Sequence, residues 1–397
     1  MLVPAARPLA VLAAAAVTLV LAGCGRDDRA STGVGIKSDG VPAAPAPAPA
    51  APAYPALATK NTTRVPGADA AETAAQIARI VFPGGSAAQR PAAIAFADAG
   101  DWRGALAGAV LMAPPLRAPL LYTSAGEIPD ATAAAVDALR PTGAPRANGA
   151  QAIRLGASGA PGGLRTTALA GSDPFTLAKS IDDYRARVAG RFSGSVVVVS
   201  ADEPAYAMPA AGWAAKSGDP VLFASRDRLP APTREAIRAH GRPRIYLVGP
   251  ASVISAGVEE QLSRLGTVTR IAGRDAPATA VEFARFSDGP FGWGVTDPGH
   301  GLVFTTPPRP AGAGPAGALS ASGTYGPQLL TSSSGALPAV VRDYLRDIRP
   351  GYSSDPVRGV YNHAWIVGDT DAVPETVQAE IDGLLEITRV RTPSRQP

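Results

Sequence analysis

The chain has 397 residues, 46% of them hydrophobic and 18% charged, with 37 Lys and Arg against 33 Asp and Glu for a formal net charge of +4. Its arginines are scattered rather than gathered in runs interleaved with aromatic residues, which argues against nucleic acid as a partner. The single cysteine excludes disulfides within the chain and thiolate metal sites.

The first stretch, MLVPAARPLAVLAAAAVTLVLAGCGR, sets Arg7 ahead of an apolar run from Leu9 to Leu21, followed by Ala22, Gly23 and Cys24. The run is roughly 13 residues long, whereas a helix crossing a bilayer needs about 20. Small residues before the cysteine fit a cleavage site, so residues 1–23 read as an export signal. The Leu-Ala-Gly-Cys ending resembles the lipobox of bacterial lipoproteins. That resemblance implies cleavage before Cys24 and acylation of Cys24 by palmitate-like chains, enough for a stable anchor on the extracytoplasmic face of the cell membrane. Residues 24–60 then lose all apolar periodicity and become PAAPAPAPAAPAYP. In polyproline II geometry, at about 3.1 Å per residue, they reach on the order of 100 Å, the span of a stiff tether into a surrounding wall.

Beyond Lys60 the composition is that of a globular protein, and the dominant signal is internal repetition. TRVPGADAAETAAQIA, TALAGSDPFTLAKSI and TRIAGRDAPATAVEFA begin at Thr63, Thr167 and Thr269, and their glycines, Gly67, Gly171 and Gly273, lie 104 and 102 residues apart. Three strand-like runs, APLLYTS, DPVLFAS and GPQLLTS, each precede a helix announced by Pro129, Pro230 or Pro338. AIRLGAS, IYLVGPAS and WIVGDTD close the units. These recurrences divide the chain into modules at 61–160, 161–266 and 267–390, with a tail at 391–397. Inside each module short apolar strands alternate with helices, which predicts a parallel sheet covered on both faces, joined by right-handed crossovers. Gly156 to Gly171 is 15 residues where Gly249 to Gly273 is 24, so the first copy is expected to lack its last helix.

The recurring aspartate has a structural explanation. Asp69 is placed to cap the following helix while Glu72 reaches back to the cap amide, the capping-box arrangement. Asp173 is followed by Pro174, favoured at the first helical position, and Asp275 holds the equivalent place. The glycine turns do not form a nucleotide site: VGPASVIS lacks G-x-G-x-x-G spacing, and no G-x-x-x-x-G-K-[ST] occurs. His240, His300 and His363 form no metal-spaced pair, and no G-x-S-x-G elbow is present. Asp297 near His300 is the most suggestive pairing, and a lone loop histidine is ordinarily a surface residue. The expectation is therefore a binding protein with no metal, no cofactor and no catalytic residues.

The openings and closings of these copies resemble the type 2 cell-wall-binding repeat of Gram-positive surface proteins, over Thr63 to about Ile387. The resemblance implies α/β modules packed in threes as a pseudo-threefold trimer, and non-covalent attachment to an anionic cell-wall polymer. It also implies a binding groove along the strands Leu120, Leu121, Tyr122, then Val221, Leu222, Phe223, then Gln328, Leu329, Leu330, although core packing explains the same residues. Thr123 and Thr331 lie at the carboxyl ends of these strands, where open α/β sheets bind ligands. Arg64 and Arg270 occupy equivalent places in two repeat openings and are candidate polymer contacts; Ala168 stands there in the other copy. The family's Phe-Pro-Asp-Ala-Leu stretch is degenerate, appearing as Trp102 to Leu106, scarcely recognisable around Pro204 to Met208, and replaced in the third copy by a Gly/Pro-rich insert, TTPPRPAGAGPAGALSASG. Two other classes remain open from sequence: a lipoprotein solute receptor of a transporter, and a wall hydrolase.

Overall fold

The computed structural model describes residues 58–332 and 336–390. The export signal, Cys24, the tether up to residue 57 and the tail at 391–397 lie outside the described residues.

Strand β1 (Thr62–Val65) leads into helix α1 (Ala70–Val81). Then β2 (Ile94–Asp98), α2 (Trp102–Gly108), β3 (Leu120–Thr123), α3 (Asp130–Leu139) and β4 (Ala152–Leu155) alternate, and β5 (Thr166–Leu169) follows with no α-helix between. The short glycine spacing of the first copy thus has the expected cause. The next stretch comprises α4 (Pro174–Ala189), β6 (Ser195–Ser200), α5 (Pro204–Ala207), α6 (Pro209–Ser217) and β7 (Val221–Ala224). It continues with α7 (Ala231–Ala239), β8 (Arg244–Val248), α8 (Ala256–Ser263) and β9 (Thr267–Ile271). The last comprises α9 (Ala276–Arg285), β10 (Gly301–Thr305), α10 (Ala313–Ser320), β11 (Gln328–Leu330) and α11 (Ala339–Asp347). It ends with β12 (Gly351–Tyr352), β13 (His363–Val367), α12 (Glu375–Leu385) and β14 (Thr388–Arg389).

Three four-stranded sheets result, ordered β3-β2-β4-β5, β7-β6-β8-β9 and β11-β10-β13-β1, with every pairing parallel. A separate two-stranded ladder joins β12 to β14. All six residues of β6, SVVVVS, are buried, as a strand covered on both faces requires. In each sheet the order reverses between the first and third strands of the unit, the place where open α/β sheets form a binding crevice at the carboxyl ends of their strands.

The sheets do not follow the repeat boundaries. The strand that opens each repeat joins the sheet of the preceding one: β5 completes the first sheet, β9 the second, and β1 pairs with β13 in the third, Thr62 opposite Ala364. The repeated glycine sits just past this strand. A Cβ at Gly67, Gly171 or Gly273 would lie 2.3 to 2.5 Å from Thr73, Leu177 or Ala278 on the helix that follows, so no larger residue fits.

The Gly/Pro-rich stretch of the third copy is not a surface insert. Pro310–Gly312 forms a short 3-10 turn and runs straight into α10, whose residues are all buried. α2, α6 and α10, the equivalent helices of the three units, pack on one another, and Gly314 and Gly317 let α10 approach its neighbours closely. An ideal Cβ at either would stand 2.9 Å from a backbone oxygen, that of Ala105 or of Ala211.

Candidate functional site

Arg64 and Arg270 are turned into the protein. Arg64 is only 3% exposed; its Nε donates to Gln378 Oε1 at 3.0 Å, and its Nη1 donates to the carbonyls of Gly368 and Asp369 at 3.1 and 2.8 Å. Burial lowers its pKa, with Glu375 and Asp369 acting the other way. Arg270 does the same in the second sheet: Nη1 donates to the Gly249 carbonyl at 2.7 Å and Nη2 to Glu259 Oε2 at 2.7 Å. Each guanidinium ties the last strand of a sheet to the turn after the neighbouring strand and to the helix beyond it. The first sheet lacks that helix and carries Ala168 at the position. The structure thus turns Arg64 and Arg270, expected as polymer contacts, inward to tie strand, turn and helix together, although the Arg64 Nη2 stays buried without a partner.

The three candidate groove strands are likewise internal. Leu120, Leu121 and Tyr122, Val221, Leu222 and Phe223, and Gln328, Leu329 and Leu330 are all buried, as are Thr123 and Thr331. Their last members face a neighbouring unit in a consistent order. The Trp102 ring meets Phe223 edge-on at 6.1 Å. Met208 packs in one cluster with Leu330. Tyr122 donates its hydroxyl to the Ala311 carbonyl. The entry to each central helix thus seats on the second strand of another unit. These residues join the modules, an outcome their apolar character fits as well as a groove.

Asp69, Asp173 and Asp275 cap α1, α4 and α9: Asp69 Oδ1 accepts from the Glu72 amide at 2.8 Å, Asp173 Oδ1 from Phe175 and Thr176 at 2.9 and 3.0 Å, and Asp275 Oδ1 from Ala278 at 2.8 Å. Glu72 reaches one residue further back than the capping box requires, accepting from the Ala68 amide. The Thr176 amide, ahead of smaller contributions, holds the Asp173 carboxyl below its usual range.

A cleft of about 430 Å³ opens at the carboxyl ends of β10 and β13, the reversal point of the third sheet. Its walls come from two units: Trp102 from the start of α2, Asp69 and Thr73 from the first turns of α1, and Thr306, Pro308 and Arg309 from the turn after β10. Arg103 stacks over the Trp102 ring at 4.6 Å, and its Nε donates to the Ala201 carbonyl. Arg309 donates to Asp369 at 2.9 Å. Burial pushes the Asp369 carboxyl up, but the Ala372 amide and Arg309 outweigh it and hold it below the usual range. The Thr305 hydroxyl, on a side of the same cleft, is buried without a partner. An aromatic face, proline rings and hydroxyls suit a sugar ring, while the cap carboxylates and the neutralised Arg309 make the cleft a poor place for a second negative charge. Of the residues in it only Asp69 was singled out from sequence, as a helix cap; the strand order, which no repeat alignment reveals, is what assembles them.

Of the histidines, His300 lies 3.5 Å from the exposed Asp297, His363 stacks edge-on with Trp365 at 5.2 Å and is lowered by burial, and His240 is fully buried against Asp182. Among the described residues no group of three or more His, Cys, Asp or Glu is placed to hold a metal ion, and no helix is long and apolar enough to cross a membrane.

Residues 168–259 match the family model of Cell wall binding domain 2, a span that runs from β5 into α8. No curated protein sequence matches the chain. Among solved structures, Cwp6 from Clostridium difficile is similar with a TM-score of 0.63 at 15% identity, over 82% of this chain and 48% of that one. Cwp8 from the same organism gives 0.61 at 16% identity, over 82% and 52%. The chain spans about half the length of each, and at these identities the likeness is one of fold.

Proposed function

We propose, from the cell wall binding domain 2 that residues 168–259 carry, that this protein is an exported cell-envelope protein that binds an anionic wall polymer non-covalently and performs no catalysis. The family match is the observation that carries this reading. Support comes from the recurrence of its architecture in three parallel sheets, with one strand order throughout. Modules at 61–160, 161–266 and 267–390 are the repeating units in sequence, and the mutual packing of α2, α6 and α10 fits their arrangement about a pseudo-threefold axis. The cleft at the third sheet supplies a surface for uncharged sugar rings of such a polymer, with Trp102 as its stacking platform.

The test is sedimentation of the full chain with purified walls, before and after removal of their anionic polymers. Binding is expected only to the intact walls, and it should weaken as salt rises, because exposed charges are screened over a Debye length of about 8 Å at physiological ionic strength. Equal binding to both preparations, or to neither, overturns the reading.

The lipobox-like ending adds a membrane anchor at Cys24, with residues 24–60 as the spacer. In cells fed a labelled fatty acid the protein should take up label and partition with membranes, and Cys24→Ala should abolish both. Persistent labelling of that variant removes the anchor from the proposal.

A further inference from the structure

Two cavities flank Pro114 at the junction of the first two units. One, of about 520 Å³, lies at the amino ends of β6 and β7 and is lined by Arg185, Arg191 and Phe192. The other, of about 340 Å³, lies at the carboxyl ends of α6 and α10 and is lined by Phe82, Arg117, Lys216 and Tyr325. Four cations therefore border the pair, and among the described residues none of them has an acidic partner within ion-pair distance.

Their positions are built rather than incidental. Arg185 lies against Gly218, where a Cβ would stand 2.3 Å from its Nη2, and that nitrogen donates to the Pro114 carbonyl at 2.8 Å. Its Nε is buried and has no partner, an unmet donor that adds to the cost of holding the group there. Burial is the largest influence and holds its pKa down, opposed by the charges of Asp219 and Asp182, with the like charge of Arg191 a smaller downward contribution. Both carboxylates are committed elsewhere: Asp182 accepts from His240, and Asp219 from Ser193 and Trp213. In the adjoining cavity Lys216 stands 3.8 Å over the Tyr325 ring and Arg117 5.7 Å from the Phe82 ring, leaving their charges on the rim.

We propose that these two cavities form one groove that takes successive phosphodiester groups of an envelope polymer, Arg185 and Arg191 holding one phosphate and Arg117 and Lys216 the next. A guanidinium matches the tetrahedral oxygens of a phosphate in a fork geometry that a lysine lacks, and the exposed Arg191 is the one that presents it beside the charge of Arg185. Two cation pairs on either side of one proline suit a chain with repeated charges better than a single free anion. The source of the phosphates rests on the wall-polymer reading above, whereas the groove itself rests on the cations.

The probe is a poly(glycerol phosphate) oligomer, titrated calorimetrically into the full chain in detergent at low salt. Wild type is expected to bind, and Arg191→Gln, at an exposed residue outside the core, should weaken binding by about 10-fold or more, the scale of a lost charged hydrogen bond. Arg185→Gln should do the same, with circular dichroism reporting whether the fold is kept. Arg264→Gln, on a cation already paired with Glu260, should bind as wild type does. No binding by wild type, or undiminished binding by Arg191→Gln, overturns the groove. Capture by phosphatidylglycerol vesicles without binding of the oligomer overturns the polymer in favour of a lipid headgroup. Failure of wall sedimentation with oligomer binding kept removes the wall as the source and leaves the groove; the reverse leaves wall binding and removes the groove.

Discussion

Gly317→Leu is expected to destabilise the folded chain by about 2–3 kcal/mol, at the upper end of the cost of overfilling a packed interior. The space at this residue is closed by main chain: a Cβ would lie 2.9 Å from the Ala211 carbonyl oxygen and 3.0 Å from the Ala215 Cβ. A side chain can rotate aside, but a helix backbone has to move as a body, so the strain reaches the seam between α10 and α6. Gly314→Leu, facing the Ala105 carbonyl, should act in the same way on the seam with α2. Gly383 on α12 is the contrast, with nothing within 4 Å of its absent Cβ; there Gly→Ala should stabilise by about 0.5–1 kcal/mol through helix propensity alone. Urea unfolding followed by circular dichroism reads all three. A Gly317→Leu variant that unfolds at the wild-type midpoint would show that the central helices do not meet as described.

Asp182→Ala should cost about 3–5 kcal/mol, because it strands a buried charge. His240 is 0% exposed, and Asp182 Oδ2 lies 2.8 Å from its Nε2, while its Nδ1 lies 2.7 Å from the Ser193 carbonyl. Both ring nitrogens face oxygen atoms that can accept, an arrangement that favours the protonated ring, which donates from both. Burial is the largest single influence on His240 and lowers its pKa, yet the Asp182 hydrogen bond and charge, joined by the Ser193 carbonyl, outweigh it and leave the net shift upward. Burial also pushes Asp182 up, opposed by the imidazole. Both shifts leave the native state holding more protons than the unfolded chain. The stabilisation from His240 is thus fully present below its unfolded pKa of about 6.5 and is lost as pH rises through the higher folded value. The urea midpoint should fall over that range in wild type. The double variant Asp182→Leu/His240→Leu, which removes both charges together, should lose this pH dependence at little net cost. A midpoint in wild type that rises from neutral to mildly alkaline pH would contradict the ion pair.

How far the sequence reveals this architecture differs from element to element. The openings at Thr63, Thr167 and Thr269 expose the helix starts because capping is local chemistry: an aspartate, a proline or a glutamate within one turn. The parallel sheets are legible in runs such as SVVVVS, which no helix period explains. α10 is not legible, since a helix buried on every side shows no amphipathic stripe, and AGPAGALS reads as a breaker segment while packing as a core helix. Arg64 and Arg270 were misplaced because residue type says nothing about exposure. For Arg270 a usable signal was nonetheless present: its strand directly follows helix α8, and Ala168 stands where that helix is missing; the helix that holds Arg64 lies at the far end of the chain, in α12. The cleft, the pair of His240 with Asp182 and the cations around Pro114 each bring together residues from separate elements, so no local pattern announces them.

The strand that is made first finds its neighbour last. β1 lies about 300 residues ahead of β13, its partner in the third sheet, a separation whose closure entropy grows only slowly with length but is still incurred before any pairing energy returns. A polypeptide emerging amino end first, from a ribosome or through a translocation pore, carries Thr62–Val65 with an open hydrogen-bonding edge until His363–Val367 arrives. The first and second sheets need no such wait, for their strands come from single continuous stretches, 94–169 and 195–271. Maturation is therefore ordered in time. Two units are able to settle as they appear, and the third acts as a clasp that locks only when nearly the whole chain has been delivered, so a chain truncated before β13 forfeits the seating of its own beginning.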